Sequence, residues 1–345
     1  MKSFVRIVGV VAAVVMAAAA CTQPSTGGGS GGGGGAWTVD PSAADPATNS
    51  DPGLAANRVY APVTAPRNAL AVVLHGTNSV PSAHDSVAVA LRNDGYHVIL
   101  MRYSATLGTL YACPDTDAVT NPDCHRKFRH ETTFGAGVTD PDGTARDHAT
   151  ANISSANSVV NRLLKLVEHM AVNYPTSGYE QFQDKTGSTC NNTNANYGAC
   201  ELDWSRVAVL GHSQGAGVAL FMAKHYSLRA SGLFSGTYDA FVDGGVATAA
   251  PWTSEGGFDT APGSIRTLMH TNDYGQDRIR AVAAAVGIPG PEVSATVTPF
   301  TTNQLLTSLT PQCPFDSVPG HNSTSVDGCV PGGAYYDAWR FMAGS

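Results

Sequence analysis

The feature that most constrains this chain is the pentapeptide Gly211-His212-Ser213-Gln214-Gly215 together with what flanks it. Val207-Ala208-Val209-Leu210 precedes it and reads as a short buried strand, while Ala216 to Tyr226 follows as an apolar helix. A strand must therefore turn into a helix within a few residues, with a serine at the corner. Glycines on both sides let strand and helix crowd together, and the corner projects the serine from the backbone. A lone Gly-x-Ser-x-Gly is weak evidence; the same pattern between an apolar strand and an apolar helix is specific.

The rest of the body repeats that alternation. Ala69–Leu74 and Tyr96–Met101 are near-continuous apolar runs, as strands covered on both faces should be. Further strands are expected at Ser231–Ser235, Ile265–His270 and Glu292–Thr298. Helices are expected at Ala83–Asp94, Ser154–Tyr174, Asp277–Val286 and Ala334–Met342. The pattern predicts an α/β fold, with a mainly parallel central sheet flanked by helices. Two polar stretches interrupt it, about 104–150 and 176–203, each holding two cysteines. Because they flank the helix at 154–174, both are expected to fold over the strand ends that carry Ser213. In the first, His125 and His130 sit among mixed charges without paired ligand spacing, which reads as a solvated face.

The first residues read as targeting rather than fold. Lys2 and Arg6 precede an apolar run, Ile7–Ala20, that is short for a membrane span and ends in small residues, so 1–20 is expected to be a signal peptide. Ala18-Ala19-Ala20-Cys21 approximates a lipobox, which makes Cys21 a candidate lipidated N-terminus; Ala18 stands where leucine is usual, and ordinary secretion is the alternative. Residues 21–36 are rich in Gly, Ser, Thr and Pro and predict a flexible tether spanning roughly 20 Å. Export, membrane attachment through the anchor, and one catalytic body over 37–345 follow as expectations.

Cysteine and charge counts narrow the class further. Apart from Cys21, six cysteines remain in three close pairs. In an exported chain they predict the disulfides Cys113–Cys124, Cys190–Cys200 and Cys313–Cys329. No CxxC spacing points to a metal, and none is expected. Net charge is −7 without a basic stripe, which argues against nucleic acid as a partner.

With the serine turn in place, the chain resembles the α/β-hydrolase superfamily, in particular its secreted bacterial esterases and lipases. The resemblance runs from about Val59 to Phe341, apart from the two polar stretches. It implies the order nucleophile, acid, histidine. Ser213 is then the nucleophile, activated by a base because an unassisted hydroxyl is a poor one. His321 is the base, being the histidine between the last expected strand and the C-terminal helix, inside the loop bounded by Cys313 and Cys329. Asp273, just after Ile265–His270, is the first choice of acid; Asp239 and Asp277 compete, and Asp273 in a turn Asn272-Asp273-Tyr274-Gly275 is also ordinary turn chemistry. The Gln214 N–H at the helix start and the Thr77 N–H in His75-Gly76-Thr77 are the implied oxyanion donors, with His75 in support. His212 is expected to pack behind the turn. Tyr111, Tyr238 and Trp252 are candidates either for the site or for the core.

The implied reaction is ester hydrolysis through an acyl-enzyme without a cofactor, on a small-molecule, lipid or polymer ester. A serine peptidase or amidase and a polyester depolymerase share the same residues. A catalytically silent binding protein is the alternative from another class.

Overall fold

The computed structural model describes residues 35–49, 56–185 and 200–345. The expected signal peptide, Cys21 and nearly all of the tether lie outside the described residues. Of the expected Cys190–Cys200 pair, Cys190 also lies outside them. Cys200 is described, buried and disulfide-bonded. The other two expected disulfides, Cys113–Cys124 and Cys313–Cys329, are both formed.

The central sheet comprises β1 (Ala36–Val39), β2 (Asn57–Tyr60), β3 (Leu70–Leu74), β4 (His97–Met101), β5 (Val207–His212), β6 (Ala230–Phe234), β7 (Ile265–His270), β8 (Glu292–Ser294) and β9 (Gln304–Thr307). Their spatial order is β1-β2-β4-β3-β5-β6-β7-β9-β8. β1 and β2 join antiparallel at one edge, and β2 meets β4 antiparallel. The pairings from β4 to β8 are parallel. The longer helices among the described residues are α1 (Asp85–Asn93), α2 (Cys124–Phe134), α3 (Val159–Asn173), α4 (Gln214–His225), α5 (Gln276–Val286) and α6 (Tyr336–Met342).

Strand periodicity sorts the core into two layers. Leu70, Val72, Leu74 and Val209 face α3, α4 and α5, where they meet Leu163, Leu166, Phe221 and Val282. Ala71, Val73, Val98 and Leu210 face α1 and α6, against Leu91, Trp339 and Met342. Both faces are covered, which is why these strands read as continuous apolar runs.

Chain order reverses at β3. The chain runs from β3 through α1 to β4 on one side, and β5 later pairs on the other side, with Leu74 beside Gly211. In open parallel sheets the crevice at such a reversal, beyond the carboxyl ends of the strands, is where ligands bind.

Several expectations need correction. β8 ends at Ser294, and β9, which the sequence reading missed, inserts between β7 and β8. Its sequence Gln-Leu-Leu-Thr carries only two apolar residues, so its identity rests on pairing with Leu268 and Met269 rather than on pattern. β1 and β2, four residues each, were also too short to stand out. The segment read as a solvated face is the interior helix α2, with His125, Arg129 and His130 buried.

The first polar stretch and the described part of the second lie at opposite ends of the sheet. The first leaves the carboxyl end of β4 and lines the crevice. The described part of the second packs at the amino ends: His97, opening β4, donates to the Ser177 carbonyl at 2.9 Å, and Cys200 with Glu201–Leu202 leads into β5. The expectation that both would fold over the strand ends carrying Ser213 is met by the first stretch and not by the described part of the second, while residues 186–199 lie outside the described residues.

Candidate active site

The turn that carries Ser213 is tighter than expected: β5 runs to His212 and α4 starts at Gln214, leaving Ser213 alone between them. Ser213 has φ 54° and ψ −114°, a conformation that costs a non-glycine residue on the order of 1–3 kcal/mol. Its surroundings hold it there. Its N–H donates to the Phe234 carbonyl at 2.9 Å, and its carbonyl accepts from Ala216 N–H at 3.0 Å. A Cβ on Gly211 would lie 2.1 Å from the Gly215 oxygen, and one on Gly215 would lie 2.4 Å from the Leu74 oxygen. Strand β5, helix α4 and strand β3 meet at distances that only glycine permits.

Ser213 opens into a cleft of about 340 Å³ whose wall also includes His321, Gln214, Thr77, Tyr111 and Tyr274. His321 lies in a short helical turn, Pro319–Asn322, inside the loop closed by the Cys313–Cys329 disulfide. Its Nδ1 is 3.0 Å from Asp273 Oδ2. Asp273 follows β7, and its Oδ1 accepts from Tyr238 OH at 2.6 Å and from Gly275 N–H at 2.9 Å. The turn role and the histidine contact are thus made by the same carboxylate. Burial pushes the Asp273 carboxyl up, but the hydrogen bonds and charge of His321, with Tyr238 and Gly275, outweigh it and hold the group below the usual carboxylate range.

Tyr238 enters the network from a second direction, its oxygen 2.7 Å from His321 Nδ1. Burial, then the Asp273 charge, drives its phenol far above its ordinary range, so it remains a donor. With acceptors on the Nδ1 side, the proton of neutral His321 belongs on Nδ1 and the Nε2 lone pair is left free. His212 Nε2 donates to the His321 carbonyl at 3.1 Å; burial and its histidine neighbours keep it neutral, so it braces His321 as well as lining the cleft.

The competing acids are placed elsewhere. Asp239 is fully buried and paired with Arg129, and Asp277 is in the first turn of α5 with an exposed side chain.

Thr77 and Gln214 are brought together because β3 and β5 are neighbours in register. Thr77 Oγ1 donates to Gln214 Oε1 at 2.8 Å. Their backbone N–H groups make no hydrogen bond among the described residues, and Gln214 is the first residue of α4, where an N–H has no partner within the helix. His75 supports the loop: Nδ1 contacts the Gly76 carbonyl at 2.9 Å and Nε2 lies 3.1 Å from an Arg102 nitrogen. Burial pushes it down to about 3, so it is neutral at physiological pH.

The first polar stretch contributes Gly108–Tyr111 to the cleft, immediately before the Cys113–Cys124 disulfide. Tyr111 is exposed at the cleft and Tyr238 is within it, whereas Trp252 is core, its ring 5.1 Å from Phe221. Two side chains escaped the sequence reading in their actual roles, Tyr238 on the Asp273–His321 pair and Arg129 beneath the serine turn. The only local hint of the second is Gly217, an otherwise unexplained glycine in an apolar helix.

Among the described residues, three clusters bring Cys, His or acidic atoms within reach of one ion. Two contain disulfide sulfurs committed to each other, Cys113 with Cys124 and Cys313 with Cys329. In the third, Asp140 is already engaged by Arg146 at 2.8 Å.

No protein-family model and no curated protein matches this chain. Among solved structures it is similar to an acetyl xylan esterase from Aspergillus awamori, at 14% identity and TM-score 0.36 over 74% of this chain and 81% of that one. It is also similar to a dienelactone hydrolase from Anabaena variabilis, at 12% identity and TM-score 0.39 over 90% of this chain and 95% of that one. Both likenesses are distant. The parallel sheet with an antiparallel edge, the reversal at β3 and a strained serine between β5 and α4 at that reversal give this chain the α/β-hydrolase fold.

Proposed function

We propose that this protein is a serine hydrolase that cleaves carboxylic esters through an acyl-enzyme on Ser213. One observation carries the reading: Ser213, at positive φ, shares a cleft with a histidine whose Nδ1 is held by a buried carboxylate. In the proposed reaction His321 Nε2 takes the Ser213 proton as the oxygen attacks the ester carbonyl. Asp273 keeps the proton on Nδ1 and stabilises the imidazolium that forms. The Thr77 and Gln214 N–H groups receive the oxyanion. The imidazolium then protonates the leaving alkoxide, and His321 activates water to free the acyl group.

Export and attachment through Cys21 belong to the same proposal and rest on the residues of the first segment. Residues 108–111, next to the Cys113–Cys124 disulfide, form one wall of the cleft, which favours a molecule that enters it over an extended polymer lying across an open surface.

Fluorophosphonate labelling of the purified protein, alongside turnover of a graded panel of neutral esters, tests the reaction. Wild type should be labelled and active, while Ser213→Ala and His321→Ala should lose both. Labelling of Ser213→Ala at wild-type intensity would remove Ser213 as the nucleophile. Turnover confined to amides would replace the ester reading with the amidase one.

A further inference from the structure

We propose that Arg129 is a positioning residue for the oxyanion site, clamping the first turn of α4 from behind and tying the disulfide-braced cleft wall to it. The inference rests on the serine-hydrolase reading and adds a residue to it. Arg129 is fully buried on α2. Its Nε and Nη2 donate to Asp239 Oδ1 and Oδ2 at 2.9 and 2.8 Å, the two-pronged geometry that orients a guanidinium most firmly. The same group donates from Nη1 to the Gln214 carbonyl at 3.0 Å and from Nη2 to Thr109 Oγ1 at 2.8 Å. Gln214 and Thr109 both line the cleft.

Gln214 is thus gripped at two points, its side chain by Thr77 and its main chain by Arg129. Fixing its carbonyl restrains the backbone at Gln214, whose own N–H is one of the two proposed oxyanion donors. Gly217 makes the approach possible, since a Cβ there would stand 2.1 Å from the guanidinium carbon. A cation at a helix N-terminus opposes the helix dipole, and Asp239 supplies the compensating charge. Because the pair is neutral as a whole, its effect on the oxyanion is geometric rather than coulombic. The acid competitor Asp239 therefore acquires a different role: it aims Arg129.

A buried ion pair can often be exchanged for apolar residues of similar volume without loss of stability. That exchange separates positioning from folding. The paired variant Arg129→Met with Asp239→Leu should keep a wild-type melting temperature and KM. Its kcat and its rate of Ser213 phosphonylation should fall by about 10- to 100-fold, since an oxyanion donor acts in the transition state and a displaced one loses less than a deleted one. A folded paired variant with wild-type kcat would overturn the proposal. Should that variant fail to fold, Arg129→Lys decides, because it keeps the charge opposite Asp239 but not the fork: reduced kcat at unchanged KM supports positioning, and unchanged kcat overturns it. If wild type itself turns over no ester and takes no label, the hydrolase reading fails and the positioning role falls with it, a result distinct from a folded variant with wild-type kcat beside an active wild type.

Discussion

The two polar stretches look alike in sequence, yet the first packs at a different end of the sheet from the described part of the second. Each interrupts the alternation of strands and helices, and each is polar with two cysteines. Residues 104–150 leave β4 at its carboxyl end, supply Gly108–Tyr111 to the cleft and bury α2 beneath the serine turn. The described part of 176–203 follows α3 and leads into β5, so it sits at the amino ends, with Ser177 against His97 and the Phe182 carbonyl accepting from Asp203 N–H. The reason is topological. In a parallel sheet every strand-to-helix connection emerges at one edge and every helix-to-strand connection at the other. Composition does not decide whether an insertion reaches the site; which kind of connection it lengthens does.

The comparison makes graded predictions for turnover. The largest effect is expected on the cleft side at Asp273→Asn, where losing the carboxylate that holds Nδ1–H should lower kcat by about 10⁴-fold. Asp239→Asn should fall well short of that in steady-state assays, since Asp239 does not touch His321. Tyr238→Phe should cost about tenfold in kcat with little change in KM, the size of one hydrogen bond to a charged group. Replacing Cys113 and Cys124 together by serine loosens the wall, and should lower both kcat, severalfold, and stability, by about 2–4 kcal/mol in urea unfolding. On the far side, Phe182→Ala empties a fully buried site and should cost about 3–5 kcal/mol while leaving kcat unchanged below the melting transition. A large fall in kcat for Phe182→Ala in the folded protein would break the division between the two ends.

A separate expectation concerns stability against pH. Burial pushes His84 and His125 down to about 4 and His75 down to about 3. Between the ordinary histidine value of 6.5 and those lowered values, the unfolded chain binds protons that the folded one refuses. Stability is therefore whole above pH 6.5 and declines as pH falls toward 4, the unfolded state binding more protons throughout that window. Melting temperatures measured from pH 7 to 4 should drop progressively, and a flat profile would contradict the buried, neutral state of these rings.

Much of the fold was legible because it is written in local pattern. β3, β4, β5 and β7 are apolar runs, and the paired cysteines at 113 and 124 and at 313 and 329 lie close enough in sequence to be matched by spacing. β9 was not legible, since two leucines between polar residues become a strand only when β7 and β8 offer their edges. Helix α2 was misread for a related reason. Charged residues look solvated until partners are counted, and Arg129 has four hydrogen bonds waiting in the interior from Asp239, Gln214 and Thr109.

By itself the sequence determined the strand, the strained corner and the helix around Ser213, because steric crowding there leaves room for nothing larger than glycine at 211 and 215. It also set the chain order in which Ser213, Asp273 and His321 occur. Only the tertiary structure decided which aspartate faces His321, that Tyr238 joins them, that Arg129 grips the turn from behind, and which insertion walls the cleft. Those are contacts between residues 35 to 110 positions apart, set by the order in which strands enter the sheet rather than by any neighbouring residue.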